Sequence, residues 1–365
     1  MKPQKILSFI LALLCLLTVP TACYRRDAAS APEHEPLTMV SLFPDMDNFI
    51  EKVHETYPEI NIEVIPYYGN NTTAYLRSQL RSGDMPDIYL TTVYAPGQQD
   101  LSDKLIDLSG YSFTNHYTVS SLHSVSDDGA IYLLPTFFSC IGIVYNKTLL
   151  DRHGWTLPSN FAELRELAPK VTAAGCRLAL NQIAFPGYGF QYLCNIMDTG
   201  FLNTLDGRKW QNDFLNGTAT AAGSAGMRQA FSILEEWRQL GMLNGEGDWY
   251  HDTATKSMMA EGNTLFMLGS TTGFTDADSP DEFRLMPYLS EDGTKNSLIT
   301  QVSRYIGLNK NLENDPQKLA DALHVMELLS TVEGMSSLNR DYASSRMLPL
   351  KDYVIPEDSY YKPVE

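Results

Sequence analysis

Asp128-Gly129-Ala130-Ile131-Tyr132-Leu133-Leu134-Pro135, Gly142-Ile143-Val144-Tyr145-Asn146-Lys147 and Leu157-Pro158-Ser159-Asn160-Phe161-Ala162-Glu163-Leu164 together decide the fold. Asp128-Gly129 has hairpin-turn chemistry between Val125 and the apolar run Ile131 to Leu133. Ile141 to Tyr145 reads as a strand. Asn160, with Glu163 three residues on, makes a helix start, and Phe161, Leu164 and Ala168 give that helix one apolar stripe.

Upstream, Leu37 to Phe43 is a strand, and Phe49, Ile50, Val53 and Tyr57 lie on one face of a helix that Pro58 ends. Ile60, Ile62 and Val64 alternate at strand period, so the chain opens β-α-β with a right-handed crossover. Leu76 and Leu80 mark a second helix stopped near Gly83, and Asp87 to Leu90 is the next strand. Downstream, Met227, Phe231, Leu234 and Trp237 share a helical face closed by Gly241, and Asp315-Pro316 opens a helix with Leu319, Leu323 and Met326 inward. No short-period repeat occurs. The pattern is that of an open, mostly parallel α/β sheet, and 365 residues suggest two domains at about 150 residues each.

With 44% hydrophobic and 19% charged residues the chain is neither disordered nor coiled-coil, and only one long apolar run is present. That run, Ile6 to Val19, follows Lys2 and Lys5 and suits a signal peptide better than a membrane span. Pro20-Thr21-Ala22-Cys23 and the polar stretch to Pro36 resemble a bacterial lipoprotein signal. A leader over 1–22, lipidation of Cys23 and a tether over 23–36 are therefore expected, with ordinary secretion as the alternative. The formal charge is −17, and loss of Lys2 and Lys5 makes the body more negative still. Such a surface repels phosphate backbones, so nucleic acid is not expected as a partner. Cys140, Cys176 and Cys194 remain in the body, with no CxxC or zinc spacing; buried free thiols, no metal and no cofactor are expected. Asn71, Asn146 and Asn216 head Asn-x-Thr triplets that a bacterial leader makes incidental.

Several segments in order resemble the extracellular solute-binding proteins of family 1, the sugar-binding components of ABC importers. Ser82-Gly83-Asp84-Met85-Pro86-Asp87-Ile88 is similar to the family's entry into a strand. The deciding stretch resembles its hinge strand, Tyr-Asn-Lys turn and helix start. Ser257 to Met267 and Leu319 to Gly334 resemble a later glycine-then-strand segment and a late helix. The similarity runs from about Met39 to Pro349. It implies a periplasmic-binding-protein-like α/β fold, with two α/β lobes joined by hinge strands and a ligand cleft between them. The expected first lobe takes 37–139 and 266–306, and the second 140–265 and 307–365. Hinge strands are expected near Thr136 to Cys140, Leu268 to Ser270 and Tyr305 to Leu308. Family members ordinarily continue beyond the Leu348-Pro349 segment with further second-lobe helices, so ligand groups from such a tail are expected to be missing.

The resemblance further implies a monomer that binds a sugar or related small solute, delivers it to ABC permease subunits and is held by lipid on the outer face of the cytoplasmic membrane. In open α/β sheets ligands bind beyond the carboxyl ends of strands. The first lobe then offers Phe43, Asp45, Thr91, Tyr94, Phe137 and Phe138. The second offers Tyr188, Phe190 and Gln191 after a glycine-rich turn, and Trp249 and Tyr250 after another. Ser270 at an expected crossing joins them, as does Arg304, a ligand clamp or an interlobe ion pair. Aromatic planes flanked by amides and carboxylates suit the apolar faces and hydroxyl rims of sugars. Trp155, Trp237 and Met267 read as core. Against an enzyme, no HExxH, nucleophile elbow, P-loop or dinucleotide fingerprint occurs, although the two carboxylates of a glycosidase could hide among 44 acidic residues. A lipid-anchored sensor for a signalling kinase is the alternative on the same fold.

Overall fold

The computed structural model describes residues 34–41, 46–67, 69, 71–92, 101–181, 183, 187–244, 261–268, 280–341 and 347–356. Among the described residues, nine strands form two sheets. The first has the order β2-β1-β3-β9-β4, from β1 (Leu37–Ser41), β2 (Ile62–Pro66), β3 (Ile88–Thr91), β4 (Leu134–Ile141) and β9 (Ile299–Leu308). β1 is parallel to β2 and β3, whereas β9 runs antiparallel between β3 and β4. The β-α-β opening is present, with α1 (Asp47–Thr56) between β1 and β2 and α2 (Thr72–Ser82) before β3. Asn71 caps α2 through its side chain, and Gly83 ends it in the left-handed region at φ 77°.

The second sheet has the order β6-β7-β5-β8, from β5 (Ile143–Asn146), β6 (Arg177–Leu180), β7 (Thr264–Leu268) and β8 (Phe283–Met286). Both sheets are covered on two faces, which is why β1, β3, β5 and β7 are buried almost end to end instead of alternating. On one face of the first sheet, Leu37 and Met39 pack with Phe49 and Val53 of α1, and the other face meets Leu76 of α2 and Leu105. The short α3 (Val119–His123) follows, and α4 (Lys147–His153) continues directly from β5. The main core of the second unit joins its sheet to α5 (Phe161–Ala173), α6 (Tyr188–Met197) and α8 (Ala225–Leu240), with Trp237 fully buried among them. A π-helical turn (Asp198–Leu202) links α6 to α7 (Leu205–Leu215). Opposite lies a smaller cluster of Val144, Leu180, Met267 and Leu285, which Cys140 of β4 joins.

Two stretches of the expected lobe division are corrected. Residues 266–268 of β7 and the whole of β8, expected in the first lobe, pair with β5 in the second sheet. Of the expected second-lobe stretch 307–365, the described helices go the other way. Leu312, α9 (Pro316–Leu329) and α10 (Val332–Asp341) pack on the first sheet, where Ala322, Val325, Met326, Met335 and Leu338 share a core with α1. Their apolar stripes are complementary to the face that α1 leaves open. The chain passes between sheets at Gly142, where β4 ends and β5 begins, and returns where Ile299 pairs with Ile141. The expected hinge segments Thr136–Cys140 and Tyr305–Leu308 are inside the first sheet, and of the third, Leu268 is in the second sheet while 269–270 lie outside the described residues.

Candidate functional site

The parallel strands point their carboxyl ends at the candidate loops: β1 ends at Ser41, β3 at Thr91, β6 at Leu180 and β7 at Leu268. Phe43, Asp45, Tyr94, Trp249, Tyr250, Ser270 and the lipidation candidate Cys23 lie outside the described residues. The described first-unit candidates fall on three neighbouring strands. Thr91, 2% exposed, pairs with Tyr305 of β9, and the next β9 residue outward, Arg304, pairs with Phe137 of β4.

β4 and β9 meet here through two offsetting irregularities. Thr136 is extra on β4 and Ser303 extra on β9, so the register shifts around the Phe137–Arg304 pair and is restored at Phe138–Val302. Side-chain hydroxyls secure both: Thr136 Oγ1 donates to the Arg304 carbonyl at 3.1 Å, and Ser303 Oγ donates to the Phe137 carbonyl at 3.4 Å. Arg304 is half-buried, and its Nη1 donates to the Ser303 carbonyl at 2.6 Å. Phe137 is corrected as a ligand group. It is fully buried in the first core, because the strand turns one of the two adjacent phenylalanines inward, and half-buried Phe138 goes elsewhere.

The second-unit candidates occupy the first turn of α6. Gly187, at φ 96°, turns the chain in the left-handed region where a side chain would be strained. Tyr188 and Gln191 are half-buried, whereas Phe190 is 71% exposed, an aromatic face open to solvent. Tyr192, on the same turn, is core and donates its hydroxyl to the Leu268 carbonyl at 3.1 Å, tying α6 to the end of β7.

An amide pair that sequence reading passed over holds this end together. Asn181, buried just after β6, donates to the Met242 carbonyl at 3.0 Å and to Asn244 Oδ1 at 2.9 Å, and Asn244 Nδ2 donates to the Ala179 carbonyl at 3.1 Å. The two candidate loops of this unit thus start from one clamp. Its sequence signal was present: asparagine directly after an apolar strand, and Asn244 before Gly245. The described groups supply stacking surface, amides, a hydroxyl and a guanidinium, a set suited to holding a polar small molecule. Among the described residues no cluster of histidine, cysteine or carboxylate could hold a metal ion, and no helix is long and apolar enough to cross a membrane.

Solved structures share this architecture. A family 1 extracellular solute-binding protein from Bifidobacterium longum subsp. infantis superimposes with a TM-score of 0.69 at 16% identity, covering 87% of this chain and 82% of its own. Apo RafE of Streptococcus pneumoniae gives 0.71 at 16% identity, covering 89% and 84%. A Bacillus licheniformis sugar transporter in complex with stachyose gives 0.61 at 19% identity, covering 86% and 83%. The family model for bacterial extracellular solute-binding proteins matches residues 41–335, from the end of β1 into α10. With most of its length so matched, the chain belongs to the bacterial extracellular solute-binding protein family.

Proposed function

We propose that this protein binds a carbohydrate, most simply an oligosaccharide, between its two units and hands it to the permease of an ABC-type importer. The family match over residues 41–335 carries the solute-binding part. Support for a sugar comes from the stachyose-bound relative and from the open ring of Phe190 beside Gln191. Binding closes the units by contacts that the ligand makes only when both touch it, so closure needs no covalent chemistry. Phe138, Arg304, Tyr188, Phe190 and Gln191 are the proposed contacts, joined by Phe43, Asp45, Tyr94, Trp249, Tyr250 and Ser270 from the loops; Thr91, buried like Phe137, is not among them. Lipid on Cys23 keeps a monomeric body on the outer face of the membrane, near the permease.

A thermal-shift screen with raffinose, stachyose and shorter and longer saccharides tests this. Ligand at one hundred times its Kd should stabilise by about 2.7 kcal/mol, with the sugar recovered intact. No shift with any saccharide, or turnover of one, would defeat the proposal. Phe190→Ala should weaken binding by about 5- to 30-fold, the loss of roughly 1–2 kcal/mol of buried ring surface, while the ligand-free melting temperature stays put. Cys23→Ser in a native-type host should release the protein from the membrane fraction; unchanged retention would sink the anchor.

A further inference from the structure

Residues 347–355 touch both units, and they do so unequally. Toward the first unit the segment is stitched down. The Pro349 carbonyl accepts from the Thr118 amide at 2.9 Å and from Ser121 Oγ at 3.3 Å. The Lys351 amide donates to the His116 carbonyl at 2.8 Å and its Nζ to the Asn115 carbonyl at 2.8 Å, while Leu348 and Leu350 are buried in the first core. Where β4 heads for the crossing, the Phe138 amide donates to the Met347 carbonyl at 2.8 Å.

Toward the second unit, side chains reach across. Met347 and Ile355, each half-buried, pack against a small cluster that Cys140 shares with four residues of the second sheet, Val144, Leu180, Met267 and Leu285. Those four residues come from all four strands of the second sheet, and Cys140 of β4 completes the cluster, so it straddles the passage between units. We infer that 347–355 is a tie across the hinge, and that Met347 and Ile355 are positioning residues that set sugar affinity without touching the sugar.

The physical reason is the asymmetry. Backbone bonds hold the tie to the first unit, whereas the cluster that its two apolar side chains meet is built mostly of the second. Rotation about Gly142 and Ile299 must therefore change the contacts of Met347 and Ile355. A contact worth different amounts in two arrangements shifts their populations, and the affinity of any ligand that prefers one of them shifts with it.

The coupling to affinity rests on the sugar-binding proposal, but the first readout does not. Spin labels are placed at exposed His54 of α1 and exposed Asn212 of α7, in the mature chain carrying Cys23→Ser, Cys176→Ser and Cys194→Ser. Ile355→Ala and Met347→Ala should each redistribute the ligand-free interlabel distances, changing the ratio of arrangements about 5-fold. Val354→Ala, at an 80% exposed neighbour, should leave them as they are. Ile355→Leu, which keeps the volume, should behave as the parent and guards against misfolding. Stachyose affinity should then move by the same factor in the alanine variants. Unchanged distances in both, at a near-parental melting temperature, would overturn the tie. If no saccharide binds, the sugar reading fails alone, and the distances still decide this one.

Discussion

Gly142 stands where the chain leaves one sheet for the other, and a Cβ there would lie 2.5 Å from the Met286 carbonyl oxygen and 2.7 Å from Leu298 Cδ2. The backbone of the crossing is pressed against β8, so Gly142→Ala should cost about 1–3 kcal/mol in urea unfolding. A neutral result would mean that the passage between units has slack. Trp237 is 1% exposed and stacked on Tyr288 with ring centroids 5.7 Å apart. Trp237→Ala should therefore cost about 3–5 kcal/mol by the same measurement. Its place on the apolar stripe of α8 puts Trp237 in the core. Trp155 is only half-buried, at the margin of that core and stacked on His153 with centroids 4.2 Å apart. The choice between Phe137 and Phe138 was beyond the sequence, because adjacent strand residues face opposite ways and only the pairing of β4 says which way is in.

Among the elements, α5 begins as its sequence reads. Asn160 Oδ1 accepts the Glu163 amide at 2.9 Å, and Glu163 Oε2 accepts the amide of Ser159, not of Asn160, at 2.7 Å. Asn160→Ala should cost about 1 kcal/mol. The outer face of α5 is held by Arg165, whose Nη2 donates to Glu236 Oε2 at 3.0 Å and to Glu291 Oε2 at 2.8 Å. That guanidinium holds the Glu291 carboxyl below its ordinary pKa. A carboxyl whose pKa is lowered by folding adds stability above its unfolded value, near 4.3, and loses it as the pH falls through the folded one. Solvent screening keeps the network to about 1 kcal/mol or less. Arg165→Gln should thus lower stability in urea at pH 7 and make little difference at pH 3; an equal loss at both would mean the arginine acts by packing. The paired irregularity of β4 and β9 had no local sequence signal, since neither Thr136 nor Ser303 is a residue that a bulge requires.

At the scale of the molecule, the cluster between units shields Cys140, which is 2% exposed and whose thiol burial pushes up to about 11. At pH 8 that thiol is then far less ionised than an ordinary cysteine. A maleimide should label half-buried Cys176 well before Cys140, followed by mass spectrometry of the peptides; early labelling of Cys140 would show that the cluster opens readily. The sequence by itself determined the elements and their class: caps such as Asn160, stops such as Gly83 and Gly241, and the β-α-β opening all act within a few residues of chain. It also carried the family, through short segments in a set order. Only the tertiary structure decided which unit each later element joins. β7 went to the second sheet and α9 and α10 to the first, against the lobe division that the resemblance implied. An apolar strand or stripe says that it will be buried but not against what, and that choice is made by ladders and complementary faces contributed from distant parts of the chain.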